Sequence, residues 1–348
     1  MGLGTYVFRR ILLMIPTLLG VVLLIFAVTM LFSPAERATL YITSPKQMTE
    51  LNGIIKEYGL NKPVYDQFFT WLVQVLHGNL GYSTTAGMPV MQALLTKLPA
   101  TFELVVWSIP ITILLGIYLG VQSAVHRDKS VDHITRVASI VGYSLPAFWL
   151  AIMLIAIFYN GLGIFPPERY SMSTFNYIFL SGKWHTYTGL ITIDGLLNGQ
   201  PLISLDLIYH MVLPTVTLTV IQIALIVRVM RSSMLEALGK GYVMAARAKG
   251  LSNVQVINKH ARRNALIPVM TVAGLLTAGL LTGVIITETV FNIDGVGRWA
   301  AAAAAGTSGV PDVPAVLGFA LFAGIVYVVA NLIVDIMYAY IDPRIRLG

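Results

Sequence analysis

Residues 242–268 read YVMAARAKGLSNVQVINKHARRNALIP, a basic, helix-prone segment set between two membrane-length apolar runs. No Asp or Glu occurs from Ala237 to Thr287, whereas Lys240, Arg247, Lys249, Lys259, Arg262 and Arg263 are all basic. The local signals predict two helices around a glycine. Gly241 to Lys249 contains good helix formers, and Gly250 suits a C-terminal cap with a left-handed backbone. Ser252 then stands as an N-cap with Gln255 three positions on, and Leu251 can staple onto Val256 across the start of the second helix. On the first helix Tyr242, Ala245, Ala246 and Lys249 fall at i, i+3, i+4 and i+7, giving a face whose middle is two methyl groups. On the second, Val254, Ile257, Ala261 and Ala265 make an apolar stripe with Lys259, Arg262 and Arg263 off it. A helix resting on lipid needs bulky apolar anchors, which Ala245 and Ala246 are not. The segment reads as a knob that docks on protein.

The surroundings fix the solvent. The chain has 348 residues, 56% of them hydrophobic and 11% charged, more apolar surface than one soluble core can hide. The net charge of +7 does not indicate nucleic acid, because the basic residues lie beside the apolar runs as cytoplasmic membrane flanks do. The absence of cysteine removes disulfides, thiolate metal sites and thiol catalysis. Six windows are long enough to cross a bilayer and free of Asp, Glu, Lys and Arg: residues 11–32, 104–125, 137–160, 211–227, 266–287 and 313–334. The first is too long for a signal-peptide apolar region and no small-x-small site follows it before Pro34, so it is expected to be an uncleaved span. With the N-terminus inside, inner segments hold 15 of the Lys and Arg residues and outer segments 8, which predicts both termini in the cytoplasm of a multi-pass cell-membrane protein. The expected organisation is an N-terminal segment with the first span at 1–32, an external region at 33–103 with a helix over 64–76, and a core of five spans at 104–348. That core carries a second external region at 161–208 and a cytoplasmic loop at 233–265.

No G-x-x-x-x-G-K-[ST] occurs, so any ATP and its Mg must be bound by a partner and this chain is expected to hold no cofactor. Nor is there H-E-x-x-H or a Ser with evident His and Asp partners, and no catalytic or metal site is expected. Glu103, Glu288 and Asp335 fall at span edges, where snorkelling or pairing with a neighbouring helix is favoured over contact with substrate. Gly116 and Gly120, and Gly279 and Gly283, are spaced for close helix packing. Pro110, Pro146 and Pro214 are expected to kink spans. Beyond the fifth window, Glu288 leads into Gly295 and Gly297, two glycines expected to allow a re-entrant turn.

AARAKGLSNVQVINKHARRNALIP (residues 245–268) resembles the cytoplasmic loop of ATP-binding-cassette (ABC) importer permeases, in which two alanines precede a glycine and Asn-Ala-x-x-Pro closes the segment. The matching positions are Ala245, Ala246, Gly250, Asn264, Ala265 and Pro268; Met244 stands where the general motif has Glu, as it tends to in the peptide-importer branch. Similarity to the dipeptide and oligopeptide branch extends through GLNKP (59–63), GNLGYS (78–83), LPATFEL (98–104), HMVLP (210–214), RVMRSSMLE (228–236), TETVFNIDGVGRW (287–299) and DPRIR (342–346). The resemblance implies an all-α, six-span permease of the type I ABC importer fold. It also implies a second homologous permease subunit, two cytoplasmic ABC ATPase subunits, an external solute-binding protein and a peptide substrate. Tyr242, Ala245, Ala246, Arg247, Ala248, Lys249, Gly250 and Leu251 are then a coupling helix and its turn, closed by His260, Asn264 and Pro268. Glu288, Gly295 and Gly297 resemble a gate near the translocation path, although alone they read equally as an interfacial turn anchored by Trp299. Relatives of this branch also carry oligosaccharides or nickel. A secondary transporter would instead show repeated halves, and no such repeat is present.

Overall fold

In lipid every backbone N–H and C=O must be satisfied within the chain, so apolar runs of this length become helices. The computed structural model describes residues 3–306 and 309–341. In chain order the principal helices are α1 (Leu3–Thr29), α2 (Val64–Leu76), α3 (Val90–Val125), α4 (Ser130–Ser144), α5 (Ala147–Gly161) and α6 (Pro201–Leu238). They continue with α7 (Gly241–Ala248), α8 (Asn253–Leu281), α9 (Ile285–Val290), α10 (Val296–Ala305) and α11 (Val313–Ile341). Among the described residues five helices are long and apolar enough to cross a membrane, and α4 with α5 makes a sixth if the bent pair is one span. The DPRIR segment lies outside the described residues.

Two expected spans are not continuous. The window 137–160 is broken between α4 and α5, which meet at 101°. Pro146 has no N–H for the helix ladder and drives Leu145 out of the helical region to φ −74°, ψ 131°, so this proline breaks the span where Pro110 and Pro214 sit inside unbroken helices. The window 266–287 ends at Leu281, because Gly283 at φ +105° turns the chain before α9 begins. Other helices outrun their windows. α6 has 38 residues, about 57 Å at 1.5 Å per residue, against about 30 Å of hydrocarbon. Its surplus at one end reaches Leu238 and delivers α7. α3 starts at Val90, so its first turns fall within the stretch expected outside.

Between apolar helices in lipid, close backbone approach rather than exclusion of water drives packing. Gly116 and Gly120 of α3 supply it: a Cβ at Gly116 would lie 2.5 Å from Ile226 Cγ2 and one at Gly120 2.6 Å from Met230 Cβ, both on α6. Gly142 lets α4 approach α6 in the same way, where a Cβ would lie 2.9 Å from the Val220 carbonyl oxygen.

The loops at the opposite end from α7 fold back on the spans. α2 buries Trp71 beside Phe26 of α1, ring centroids 5.6 Å apart. A small hairpin of β1 (Tyr82–Ser83) and β2 (Met88–Pro89), antiparallel with Tyr82 opposite Pro89, is pinned to the start of α11: Ser83 Oγ and the Thr85 N–H donate to Asp312 Oδ2 at 2.7 and 2.9 Å. Glu103 of α3, 1% exposed, accepts from Arg169 Nη2 at 2.8 Å and from the Thr192 N–H and Oγ1 at 2.7 and 2.6 Å. Asp335 pairs with Arg10 at 2.7 Å across α11 and α1. Pairing with neighbours accounts for both carboxylates.

Candidate functional site

α7 and the turn after it form as the local sequence dictates. The Gly250 N–H donates to the Arg247 carbonyl at 2.9 Å and the Leu251 N–H to the Ala246 carbonyl at 3.3 Å, the paired bonds of a Schellman cap, with Gly250 at φ +78°. One residue later Ser252 and Gln255 exchange the reciprocal bonds of a capping box. Leu251 packs on the cluster that contains Val256, as the staple requires. These contacts set the local turn between α7 and the start of α8.

Which face α7 turns inward is a tertiary matter, and here the structure corrects the helical-wheel reading. Val243 and Ala246, three residues apart, are buried with Met230, Met234 and Ala237 of α6 and with Val256, Ala261 and Ala265 of α8. Ala245 is exposed, and so are Tyr242, Met244, Arg247, Ala248, Lys249 and Gly250. The two alanines therefore do different things. Ala246 seats α7 on its own chain, and Ala245 belongs to the outward face. Val243, the single β-branched residue of α7, is the available signal for the inward face. Around it Lys240 pairs with Glu236 at 2.9 Å, and that hydrogen bond raises the lysine pKa. The outward face is small-sided, basic and rimmed by Tyr242 and Met244.

The apolar stripe of α8 is also shifted. Val256 to Ala261 form one wide π turn, in which residues five apart rather than four line up. Val256, Ala261, Ala265 and Val269 consequently share the buried face, while Val254, expected on it, is exposed and Ile257 is half-buried. Asn264 Nδ2 donates to the His260 carbonyl at 3.0 Å, one turn before Pro268, which itself lies on the exposed side. His260, Asn264 and Pro268 thus follow one another on successive turns of α8.

Beneath this assembly lies a clamp centred on the segment at residues 126–136, between α3 and the first turns of α4. Asp132, fully buried, accepts from Arg231 Nε and Nη2, both at 2.7 Å, from Ser123 Oγ at 2.5 Å and from the Asp128 N–H at 3.1 Å. It joins α3, α4 and α6 where α6 leaves the apolar window. No sequence spacing marks this pair, which is 99 residues apart.

Glu288, Gly295 and Gly297 come together at the opposite end. Glu288 is fully buried: its Oε1 accepts from Thr101 Oγ1 at 2.7 Å and the Val284 N–H at 3.2 Å, and its Oε2 from the Arg298 N–H at 2.6 Å. Thr101 Oγ1 in turn accepts from the Val296 N–H at 2.9 Å. The glycines serve close approach rather than a sharp turn, since neither has a positive φ. A Cβ at Gly295 would lie 2.5 Å from Glu288 Cδ, and one at Gly297 would lie 2.8 Å from Gly283 Cα. Trp299 is buried, its Nε1 donating to Ser83 Oγ at 3.3 Å, and is not an interfacial anchor. Among the described residues no three His, Asp or Glu side chains converge as metal ligands.

The fold is that of a multi-pass helical membrane protein with a basic helix exposed at one end of the bundle and a carboxylate-held loop at the other. The family described as binding-protein-dependent transport system inner membrane component matches residues 112–347, and the N-terminal component of the same systems matches residues 3–115, so the chain belongs to that family. It is 37% identical to the dipeptide transport system permease protein DppB of Escherichia coli K12, over 98% of both chains. It is also 37% identical to the probable D,D-dipeptide transport system permease protein DdpB of the same strain, over 94% of both. Identity to the oligopeptide transport system permease protein AppB of Bacillus subtilis is 31%, over 99% of this chain and 100% of that one.

Proposed function

We infer that this chain is one permease subunit of an ATP-driven importer for dipeptides or oligopeptides, pairing with a second homologous permease to enclose the pathway. The peptide class is supported by the relatives, which are named for dipeptide and oligopeptide transport. Two cytoplasmic ATPase subunits bind ATP and Mg and supply the motion, an external binding protein delivers the peptide, and both termini face the cytoplasm. The observation that carries this reading is the split of α7: Val243 and Ala246 are held in the chain's own core while Tyr242, Met244, Ala245 and Ala248 stand outward. A helix so seated moves with α6 and α8 as one body, so displacement imposed on its outer face passes to the spans. In this reading Glu288 holds the outer loop rather than touching substrate. The test is reconstitution with the ATPases and binding protein. The complete assembly should couple ATP hydrolysis to peptide uptake, and proton-driven uptake by this chain alone would refute the reading.

A further inference from the structure

A cavity of about 480 Å³ opens between α4 and α6 at the α7 end of the bundle. Arg136, Arg228 and Arg231 line it with the hydroxyls of Ser139 and Ser232, and Ile140 and Val227 supply apolar wall. Asp132 occupies the Arg231 guanidinium with two hydrogen bonds. Arg136 and Arg228 are exposed and have neither an ion pair nor a hydrogen-bond partner among the described residues. Two uncompensated guanidiniums therefore point at one hollow.

Its depth is informative. Arg136 immediately precedes the apolar window at 137–160, and Arg228 immediately follows the one at 211–227. Both charges thus stand where hydrocarbon gives way to headgroups, the level of lipid phosphates. The flank of α4 beyond them is apolar and exposed through Val137 and Val141, a surface suited to acyl chains. A guanidinium pair matches phosphate oxygens in charge and geometry, and the serines add donors.

We propose that this cavity binds the phosphate group of an anionic phospholipid, with its acyl chains along α4. The proposal rests on the permease reading only for naming the leaflet as cytoplasmic. Binding is measured on the purified full chain without partner subunits, so failure here leaves that reading standing.

The experiment is native mass spectrometry of the chain in detergent, titrated with phosphatidylglycerol, phosphatidylcholine or inorganic phosphate. Phosphatidylglycerol should be retained in preference to phosphatidylcholine, and Arg136→Gln with Arg228→Gln should weaken it roughly tenfold or more. Lys46→Gln with Lys56→Gln, removing the same charge from exposed positions at the other end, should not. Ser232→Trp, which fills the cavity mouth without altering charge, should also weaken retention and covers the case in which the double variant folds poorly. Equal retention by the arginine and lysine double variants would overturn the proposal, as would equal retention of the two lipids. Binding of inorganic phosphate without phosphatidylglycerol would assign the site to a free anion and overturn the lipid assignment.

Discussion

Ala245 and Ala246 are neighbours in sequence with opposite surroundings, and introducing the same carboxylate at each separates docking from folding. Ala246 is 5% exposed among Val243, Met230, Met234 and Val256. Ala246→Glu adds four heavy atoms beyond Cβ and a charge with no partner there, and overpacking with desolvation costs about 3–5 kcal/mol. That is enough to unseat α7 in the isolated chain. Ala245 faces outward, so Ala245→Glu should leave the thermal stability of the purified chain within about 0.5 kcal/mol. Once the outer face is buried against an ATPase, the same glutamate is an unpaired interfacial charge worth about 3 kcal/mol, roughly a hundredfold in affinity. The assays are thermal unfolding of the chain alone, recovery of ATPase subunits with the affinity-purified complex, and ATP hydrolysis stimulated by the binding protein. Ala245→Glu should unfold like wild type and lose its ATPases, whereas Ala246→Glu should fail in the first assay. If Ala245→Glu retains the ATPases and full stimulated hydrolysis, the outward face of α7 is not a docking surface and the coupling argument fails.

Gly250→Val places a β-branched residue at φ +78° and should cost about 1–2 kcal/mol and reduce coupling, while Gly250→Asn, which tolerates that conformation, should retain most of it in the same hydrolysis assay. Glu288→Ala leaves the buried donors of Thr101, Val284 and Arg298 without their acceptor and should lower chain stability by about 2–4 kcal/mol, measured as a fall in the unfolding temperature in detergent. Single cysteines replacing exposed Lys46 and Ser252 in this cysteine-free chain should label oppositely with an impermeant thiol reagent on intact cells. Labelling at position 252 from outside would reverse the orientation.

What the sequence discloses here is local. The Ser252 to Gln255 box, the Gly250 cap and the helix at Val64 to Leu76 depend on residues within a few positions of each other, and all form where propensity and capping rules put them. The five unbroken spans are legible because lipid admits no alternative to helix. Inward and outward faces are not, since Ala246 is buried by methionines of α6 and Glu288 takes one of its donors from Thr101, 187 residues away. The break at Leu145 lies between these cases: Pro146 marks it, but a proline alone does not distinguish a helix that runs on, as through Pro214, from a 101° bend.

The π turn at Val256 to Ala261 shows how one such hidden feature fixes the site. A strict α-helix would put Val256 and Ala261 about 140° apart, because five residues at 100° each overshoot one turn by that amount. The wide turn brings both onto the buried face, and only then can Val256 close the cluster that seats Val243 and Ala246. Deleting exposed Asn258 would remove the extra residue and restore ordinary spacing in α8. Helical propensity would improve, yet with Val256 and Ala261 held on the common face the chain before Val256 would have to adopt a new path, carrying the Ser252 box and the Gly250 cap with it. The expected result is membrane insertion at wild-type level with loss of ATPase recovery, read in the same affinity purification. Full recovery would mean that α7 is positioned from α6 alone and that the π turn has no part in presenting it.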